Sequence, residues 1–367
     1  MKMRVLMLTG TPGLLIMGGA EILMFNLAKG LREKNINIVL PTTIELLREE
    51  QRPKLQYDII VFFNVTSYYH DAFITMNIAK QHNIPFIVFP IYWKLENINE
   101  TAAHLVLSIV RTYMRFINKP LFRIPVEIMK LVYDNSDLIV TSGSYEKQKI
   151  VQDFGIDENR VDVLPVGVEK RFAEIWYRRK ELSELAEKIF GQKDYILFVG
   201  AIEPRKNIHG LIKAYAKSNL STLLILTGHL RSKDYLNYCL KLAERLGISQ
   251  KIKYMGRVPH RSRLLEILYA GAKVLVLPSF YETPGIVAME AALAGVNIVI
   301  TKYGTTQEYY SKYVTYVDPY NVSSIAEGLL HAYQEKFDPK LRIHILNNYT
   351  WDVIAERFIN ILSRILK

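Results

Sequence analysis

One stretch of the sequence, from Pro278 to Gly295, reads P-S-F-Y-E-T-P-G-I-V-A-M-E-A-A-L-A-G. The apolar run that precedes it, Lys273 to Leu277, has the composition of a buried strand. Thr283 suits the position before a helix, Pro284 suits the first turn, where a missing N–H is harmless, and Gly295 suits the end. The stretch therefore predicts a strand, a loop and a short apolar helix.

Two carboxylates lie in this stretch. Glu282 falls on the loop after the strand, and Glu290 is the only charged residue of the predicted helix. A buried carboxylate such as Glu290 needs hydrogen-bond donors. Separately, the backbone amides of Gly285 and Ile286 at the helix start favour a bound anion such as phosphate. Ligands bind at the carboxyl ends of parallel strands. The pattern fits a diphosphate flanked by sugar hydroxyls. The alternative is an ordinary buried helix whose Glu290 reaches a rim or pairs with an arginine.

The pattern P-S-x-x-E-x-x-G-(I/L)-x-x-x-E-A-x-x-x-G resembles the donor-site signature of retaining GT-B glycosyltransferases of family 4, the glycosyl transferases group 1. The resemblance extends over essentially the whole chain. It implies that Glu282 approaches the hydroxyls of the transferred sugar and that Glu290 holds the nucleotide ribose. It also implies that the amides of Gly285 and Ile286 hold the distal phosphate of the donor.

Short apolar runs alternate with helical patterns almost throughout the chain, which is typical of an α/β protein with parallel sheets. Each half opens with a buried strand, a turn rich in small residues and a helix, so we expect two Rossmann-like halves. Neither half carries a G-x-G-x-x-G or a P-loop motif. The predicted strands are Val5–Leu8, Ile36–Leu40, Ile59–Phe63, Pro85–Phe89, Leu138–Val140, Val161–Leu164, Tyr195–Val199, Thr222–Thr227, Ile252–Met255, Val274–Leu277 and Asn297–Ile300.

The segment between the two halves is charged and helical, and we place the boundary near Glu169. Residues 1–169 are expected to form an acceptor-side Rossmann-like domain, and residues 170–349 a domain that binds the nucleotide sugar. The resemblance implies the GT-B architecture, in which the two domains face each other across a cleft. It also implies that a C-terminal helix, in residues 350–367, crosses back to the first domain.

Two adjacent cations, Arg205 and Lys206, follow the first strand of the second half. Cations at a strand end can neutralise a leaving diphosphate, although solvated charges beside a turn would give the same pattern. The family carries a similar P-R-K-N segment, which implies that both residues are catalytic. Two departures stand out. Ala201 occupies a position where the family often has an arginine, and Thr283 with Pro284 replaces a Gly-Phe pair.

The resemblance also assigns residues that would otherwise be ordinary turn or core positions. Gly19 opens the first helix in a G-G-x-E turn that would face the donor phosphate and the acceptor. Gly228 would border the nucleotide, and Arg257 and Val258 would wrap the base through main-chain contacts. Tyr92 would line the acceptor pocket. It lies in a segment, Phe89 to Trp93, in which many relatives have a histidine, and this segment contains none here.

The 367 residues carry a net charge of +11 and a pI near 9.4, which fits an anionic substrate, an anionic membrane surface or a nucleic acid. No module with a basic, aromatic face is recognised, so we expect no nucleic-acid partner. The sequence has no apolar run of membrane-spanning length, no signal peptide and a single cysteine, Cys239. These features favour a cytoplasmic protein in which Cys239 is a packing residue.

Residues 111–130 contain five cations, one acidic residue and interleaved aromatic and aliphatic residues. Such a segment can rest on an anionic bilayer, which would make the protein peripheral on the cytoplasmic membrane face. An amphipathic helix that packs on its own domain is the alternative.

The sequence thus predicts a retaining glycosyltransferase that moves a sugar from a UDP- or GDP-sugar to a carbohydrate or lipid-linked hydroxyl. No Asp/His cluster has metal-ligand spacing, so we expect neither a metal nor a cofactor. One alternative is another enzyme on the same scaffold, an epimerase or a phosphorylase, although we identify no pyridoxal-binding lysine. The other is a non-catalytic nucleotide-sugar-binding partner subunit. The sugar, base, acceptor and oligomeric state are left open.

Overall fold

The computed structural model describes residues 3–10, 19–49, 55–92 and 123–366. These residues form two compact units, each built on its own parallel sheet. The first unit contains the described residues up to Gly167 and those from Tyr349 onward, and the second contains Val168–Asn348. The prediction of an α/β protein with two Rossmann-like halves is therefore confirmed.

The first sheet has six strands in the order β2-β1-β3-β4-β5-β6. Its strands and the helices between them are β1 (Arg4–Thr9), α1 (Gly19–Glu33), β2 (Asn37–Val39), α2 (Thr43–Glu49), β3 (Ile59–Phe63), α3 (Tyr69–Gln81), β4 (Phe86–Phe89), α4 (Arg123–Asp134), β5 (Leu138–Thr141), α5 (Ser144–Phe154) and β6 (Val161–Val163).

The second sheet also has six strands, in the order β12-β11-β10-β7-β8-β9. The remaining elements are α6 (Phe172–Phe190), β7 (Tyr195–Val199), α7 (Ile208–Ser218), β8 (Leu224–Thr227), α8 (Lys233–Arg245), β9 (Ile252–Tyr254), α9 (Arg263–Gly271), β10 (Ala272–Leu277), α10 (Ile286–Leu293), β11 (Asn297–Thr301), α11 (Thr306–Tyr310), β12 (Thr315–Val317), α12 (Val322–Gln334), α13 (Pro339–Asn348) and α14 (Trp351–Ile365).

All eleven strands predicted from the apolar runs are present, with ends shifted by at most two residues. The central strand β3 shows why they are recognisable, since all five of its residues are buried between helical layers. The prediction missed β12, which lies at the edge of its sheet and pairs only with β11. Thr315 and Tyr316 of this strand are only half-buried, so the strand has no uniformly apolar run.

The last helix, α14, belongs to the first unit and packs against α1. Two glycines, Gly30 of α1 and Gly167 after β6, let the backbone approach α14 closely. A Cβ on Gly30 would lie 3.0 Å from the side chain of Ala355, and a Cβ on Gly167 would lie 2.6 Å from the Trp351 ring. The Phe358 ring also meets the edge of Phe89 at the end of β4, with ring centroids 5.7 Å apart. The helix is thus part of the core of the first unit.

A buried carboxylate, Glu146, connects the loops that follow β4 and β5. It lies in the first turn of α5 and is 1% exposed. It accepts the backbone N–H of Tyr92 at 2.7 Å, and both the N–H and the hydroxyl of Ser142 at 2.7 Å. Burial raises the pKa of Glu146, and the bonds from Ser142 and Tyr92 oppose that shift. The position of the Tyr92 backbone therefore depends on one side chain of the neighbouring helix.

We expect Glu146→Gln to lower the free energy of unfolding by about 1–3 kcal/mol. The NH2 group of the new amide would replace one acceptor oxygen and face the N–H and O–H donors of Tyr92 or Ser142. Urea denaturation followed by far-UV circular dichroism measures the change. Glu33→Gln is the matched control, since Glu33 has an exposed side chain 3.9 Å from Lys29 and such a pair contributes little. Equal losses in the two variants would contradict this role for Glu146.

Candidate functional site

Strands β7 and β10 are neighbours in the second sheet, and the strand order reverses between them. From β7 the chain continues outward through β8 and β9, whereas β10 starts the other half of the sheet. Loops that leave such a switch point diverge and leave a crevice at the carboxyl edge. The two loops concerned are residues 200–207 and residues 278–285, which carry the predicted cations and the first predicted carboxylate.

The Lys206 side chain, from the loop after β7, contacts the Glu282 carboxylate, from the loop after β10. Lys206 Nζ lies 2.5 Å from Glu282 Oε1, and the Ser279 hydroxyl donates to the same oxygen at 2.5 Å. Both side chains are buried, with 13% of Lys206 and 5% of Glu282 exposed. Sequence reasoning predicted both residues for one site, but it did not predict that they pair or that Ser279 takes part.

Each charge of the Lys206–Glu282 pair stabilises the other. Burial alone would raise the pKa of Glu282, but the nearby charges of Lys206 and Arg205 outweigh it and hold that pKa below its ordinary value. Burial lowers the pKa of Lys206, and the attraction of Glu282 opposes the shift. The carboxylate is therefore ionised and ready to accept hydrogen bonds.

Arg205 connects the same two loops in another way. Its guanidinium donates to the Tyr281 carbonyl at 3.1 Å and to Glu203 Oε1 at 3.0 Å. On the other side of Glu203, Arg231 Nη1 lies 3.6 Å from Oε2. Arg231 is a cation that sequence reasoning missed, because no motif marks it. It reaches this edge because Ile202 pairs in a parallel bridge with Leu230, which joins the loops after β7 and β8.

Gly228 has a structural reason to be glycine. A Cβ at this position would lie 1.7 Å from the Gly200 carbonyl oxygen, and its φ of 152° is one that other residues rarely adopt. The loops that follow β7 and β8 can approach each other closely only because this side chain is absent. Whether Gly228 also borders a nucleotide stays a prediction.

Glu290 lies on α10 and is 3% exposed. Tyr269 donates its hydroxyl to Oε2 at 2.6 Å, and His260 Nε2 lies 2.7 Å from Oε1. The expected donor partners are thus present, but they are a tyrosine and a histidine rather than the arginine of the alternative interpretation. The hydrogen bond to Glu290 raises the pKa of His260 above its ordinary value, although burial opposes this. Neither partner was predicted, since neither lies near Glu290 in sequence.

The start of α10 differs from the prediction. The helix begins at Ile286 rather than Pro284, and Gly285, not Thr283, holds the capping position. The reason is the backbone of Gly285, whose φ of 82° turns the chain into the helix. The Gly285 carbonyl accepts the Tyr310 hydroxyl at 2.8 Å. The Ala288 N–H already donates to the Gly285 carbonyl at 2.9 Å. The amides of Ile286 and Val287 have no acceptor within the helix and can face an anion.

The other predicted site residues lie in several places. Arg257 is exposed and Val258 half-buried, in the segment between β9 and α9 that also carries His260. Gly19 is the first residue of α1, in the first unit. Tyr92, also in the first unit, donates its hydroxyl to Asp153 at 2.8 Å and meets the Phe154 ring edge-on. Most of the basic segment 111–130 lies outside the described residues, which resume at Arg123.

The described residues contain neither a metal-binding cluster nor a helix that could span a membrane. No group of three His, Cys, Asp or Glu side chains there is arranged to hold a metal ion. Within the same ranges, no helix is both long and apolar enough to cross a membrane.

Two Rossmann-like units, with a charged site at the switch point of the second, define the GT-B class of fold. A solved glycosyltransferase from Rickettsia africae ESF-5 has the same fold. It superimposes with a TM-score of 0.74 at 17% identity, over 100% of this chain and 99% of that one. Residues 180–349 match the family model of glycosyl transferases group 1.

Two relatives extend this match in sequence. The uncharacterized glycosyltransferase MJ1607 of Methanocaldococcus jannaschii is 32% identical over 243 residues, which are 62% of this chain and 60% of MJ1607. The O-antigen chain mannosyltransferase B of Escherichia coli is 30% identical over 207 residues, 55% of this chain and 53% of that enzyme. The match thus spans little more than half the length of these relatives. The chain is similar to group 1 glycosyltransferases in sequence and shares the GT-B fold.

We expect Lys206→Met and Glu282→Gln each to lower the free energy of unfolding by about 3 kcal/mol or more, because each leaves a buried group without its partner. The double variant should lose clearly less than the sum of the two. Urea denaturation of all three variants measures the coupling. Lys302→Met is the matched control, since Lys302 forms an exposed pair with Asp318 at 3.0 Å. Additive losses would show that the pair contributes nothing as a pair.

The pH dependence of this stability has a definite sign. Because the pKa of Glu282 is lowered in the folded chain, its contribution is present above the unfolded-state pKa of about 4 and is lost as pH falls through the folded-state pKa. We therefore expect the stability difference between wild type and Glu282→Gln to shrink as pH falls below about 4. Thermal unfolding at a series of pH values measures this difference, and a difference that widens in acid would contradict it.

Proposed function

We propose that this protein is a retaining glycosyltransferase of family 4. It transfers a sugar from a UDP- or GDP-sugar to a hydroxyl of a carbohydrate or lipid-linked acceptor, without a metal. The observation that carries this proposal is the buried Lys206–Glu282 pair at the switch point, beside Arg205 and the start of α10. A cation and a carboxylate side by side suit a substrate that presents a phosphate next to neutral hydroxyls.

The leaving group explains the cations in this proposal. When the bond from the anomeric carbon to the phosphate oxygen breaks, negative charge grows on the diphosphate. Lys206, Arg205 and the first-turn amides of α10 stabilise that charge from fixed positions, which lowers the barrier. Lys206 is shared between Glu282 and the phosphate, so the carboxylate keeps the lysine in place before the donor arrives. Arg231, held through Glu203, adds a third cation at the edge where Ala201 supplies none.

The carboxylates position the neutral parts of the donor. Each ionised carboxylate has about four acceptor positions. On Glu290, His260 and Tyr269 occupy two of them. The others are left for the ribose hydroxyls, while Glu282 accepts from the hydroxyls of the transferred sugar. Retention requires that the acceptor oxygen bond to the anomeric carbon on the face that the phosphate leaves. The acceptor proton passes to the leaving phosphate oxygen.

The similarity to proteins named as glycosyltransferases favours transfer over the epimerase and partner-subunit alternatives. One relative is named for O-antigen chains, which supports a carbohydrate or lipid-linked acceptor. We also propose a cytoplasmic protein that is peripheral at an anionic membrane face. On α4, which begins within the basic segment 111–130, Val126 and Leu131 are 49% and 44% exposed.

We expect calorimetric titration of UDP, GDP and their sugars to identify one diphosphate that binds. Glu290→Gln and the double change Arg205→Ala/Lys206→Ala should each weaken it by about 10- to 100-fold, as for lost hydrogen bonds to charged groups. Lys213→Ala, which removes an exposed cation of α7, is the matched control and should bind as wild type does. No binding by any nucleotide to the folded protein would overturn the proposal.

Once the donor is known, two further measurements test the finer points. NMR of the freshly formed product gives the anomeric configuration, and an inverted product would exclude a retaining mechanism. Transfer should also continue at an unchanged rate in excess EDTA. Activity that EDTA abolishes and Mg²⁺ or Mn²⁺ restores would contradict metal independence.

A further inference from the structure

We infer that His260 is a positioning residue that orients the Glu290 carboxylate for the donor ribose, and that its protonation makes donor binding depend on pH. The inference rests on the proposed function, in which Glu290 is the ribose carboxylate. No motif and no comparison assigns a role to His260.

The first argument is the geometry at Glu290. One oxygen contacts His260 Nε2 at 2.7 Å, and the other accepts the Tyr269 hydroxyl at 2.6 Å. With one donor on each oxygen, the plane of the carboxylate is defined, and each oxygen keeps a free lone pair. Tyr269 is fully buried, so its hydroxyl has no alternative in water. His260 is about one-third exposed and is therefore the adjustable member of the trio.

The second argument is the other side of the His260 ring. Nδ1 lies 3.4 Å from Glu169 Oε1. A neutral imidazole has one N–H and can donate to only one of two flanking carboxylates, whereas the imidazolium ion can donate to both. The arrangement of Glu169 on one side and Glu290 on the other thus favours the charged ring. Glu169 lies at the point where the chain enters the second unit.

Arg171 is the opposing charge near the ring. It donates to the His260 carbonyl at 2.6 Å and pairs with Glu169 at 3.1 Å. Its Nη2 also lies 3.3 Å from Nδ1, where it can donate only to a neutral ring, so this contact opposes the charged form. Glu266 of α9 lies 3.7 Å from Arg171 and offsets part of its charge. The remaining neighbours, Tyr269 and the Phe172 ring edge, are neutral.

The balance of these groups sets the sign of the effect. The bond to Glu290 raises the pKa of His260, and burial and Arg171 do not cancel the rise. The charged ring is therefore present at low pH and is lost as pH rises through that pKa. The neutral ring that remains has one N–H for two carboxylates, so it holds Glu290 more weakly. A less ordered Glu290 lowers the fraction of molecules that are ready to bind. The apparent dissociation constant rises in inverse proportion to that fraction.

The test measures UDP and GDP affinity by calorimetry from pH 5.5 to 9 for wild type, His260→Ala, His260→Gln and His331→Gln. At pH 6 we expect His260→Ala to bind about tenfold more weakly than wild type. His260→Gln should lie between them, because its amide can still donate to Glu290 without a charge. His331, an exposed histidine on α12, is the matched control. Since the diphosphate itself ionises near pH 6, the quantity compared is the ratio of variant to wild type.

That ratio should fall toward one for His260→Gln as pH rises to 9, and it should stay at one for His331→Gln throughout. A pH-independent ratio near one for both His260 variants would overturn the inference. Failure of the proposed function looks different, since wild type itself would then bind neither nucleotide.

An NMR titration of the His260 ring further separates failure of this inference from failure of the proposed function, and it needs no nucleotide. In wild type the pKa of the ring should lie above the ordinary histidine value, and in Glu290→Gln it should fall. A ring that titrates alike in both proteins would overturn the inference, because His260 would then not sense the Glu290 carboxylate.

Discussion

The site depends on one unfavourable arrangement, a lysine and a glutamate buried together at the edge of a sheet. Removing two charges from water costs several kcal/mol per ion, so such a pair persists only with short, well-aligned contacts. Here the chain supplies them through Ser279 and through the 2.5 Å contact of Lys206 with Glu282. Removal of either charge would leave the other buried without its partner. Under the proposed function, a phosphate and a sugar would therefore meet a site whose charges are already in place.

The backbone around this pair is arranged to keep the two loops together. Asn207, in the left-handed region at φ 53°, donates its amide to the carbonyls of Pro278 and Pro319 at 3.1 and 2.8 Å. On the far side, Gly304 bridges Glu282, and a Cβ there would lie 2.0 Å from the Glu282 carbonyl oxygen. The switch point provides the crevice, and these side-chain-to-backbone contacts determine where the charges stand in it.

Much of the fold and part of the site were predictable, and the reason differs for each. The strands were predictable because buried parallel strands have uniformly apolar sequences, and β12 was missed because an edge strand does not. Glu282, Lys206 and Arg205 were predictable because motifs mark loops after strands. His260 and Tyr269 were not, because their contacts with Glu290 span 30 and 21 residues of chain that no local pattern encodes. Ser279 lies within the motif, three residues before Glu282, but the motif does not show where its hydroxyl donates.

The sequence by itself determined the class of fold, one carboxylate and two cations on loops at strand ends, and a second carboxylate on the helix that follows, since burial and turn chemistry act on neighbouring residues. Only the tertiary structure decided which groups pair. It placed Lys206 on Glu282, His260 between Glu169 and Glu290, and the start of α10 at Ile286 instead of Pro284. The physical reason is that ion pairs and hydrogen bonds depend on distances of a few ångströms, which are set by strand order and loop packing rather than by sequence spacing.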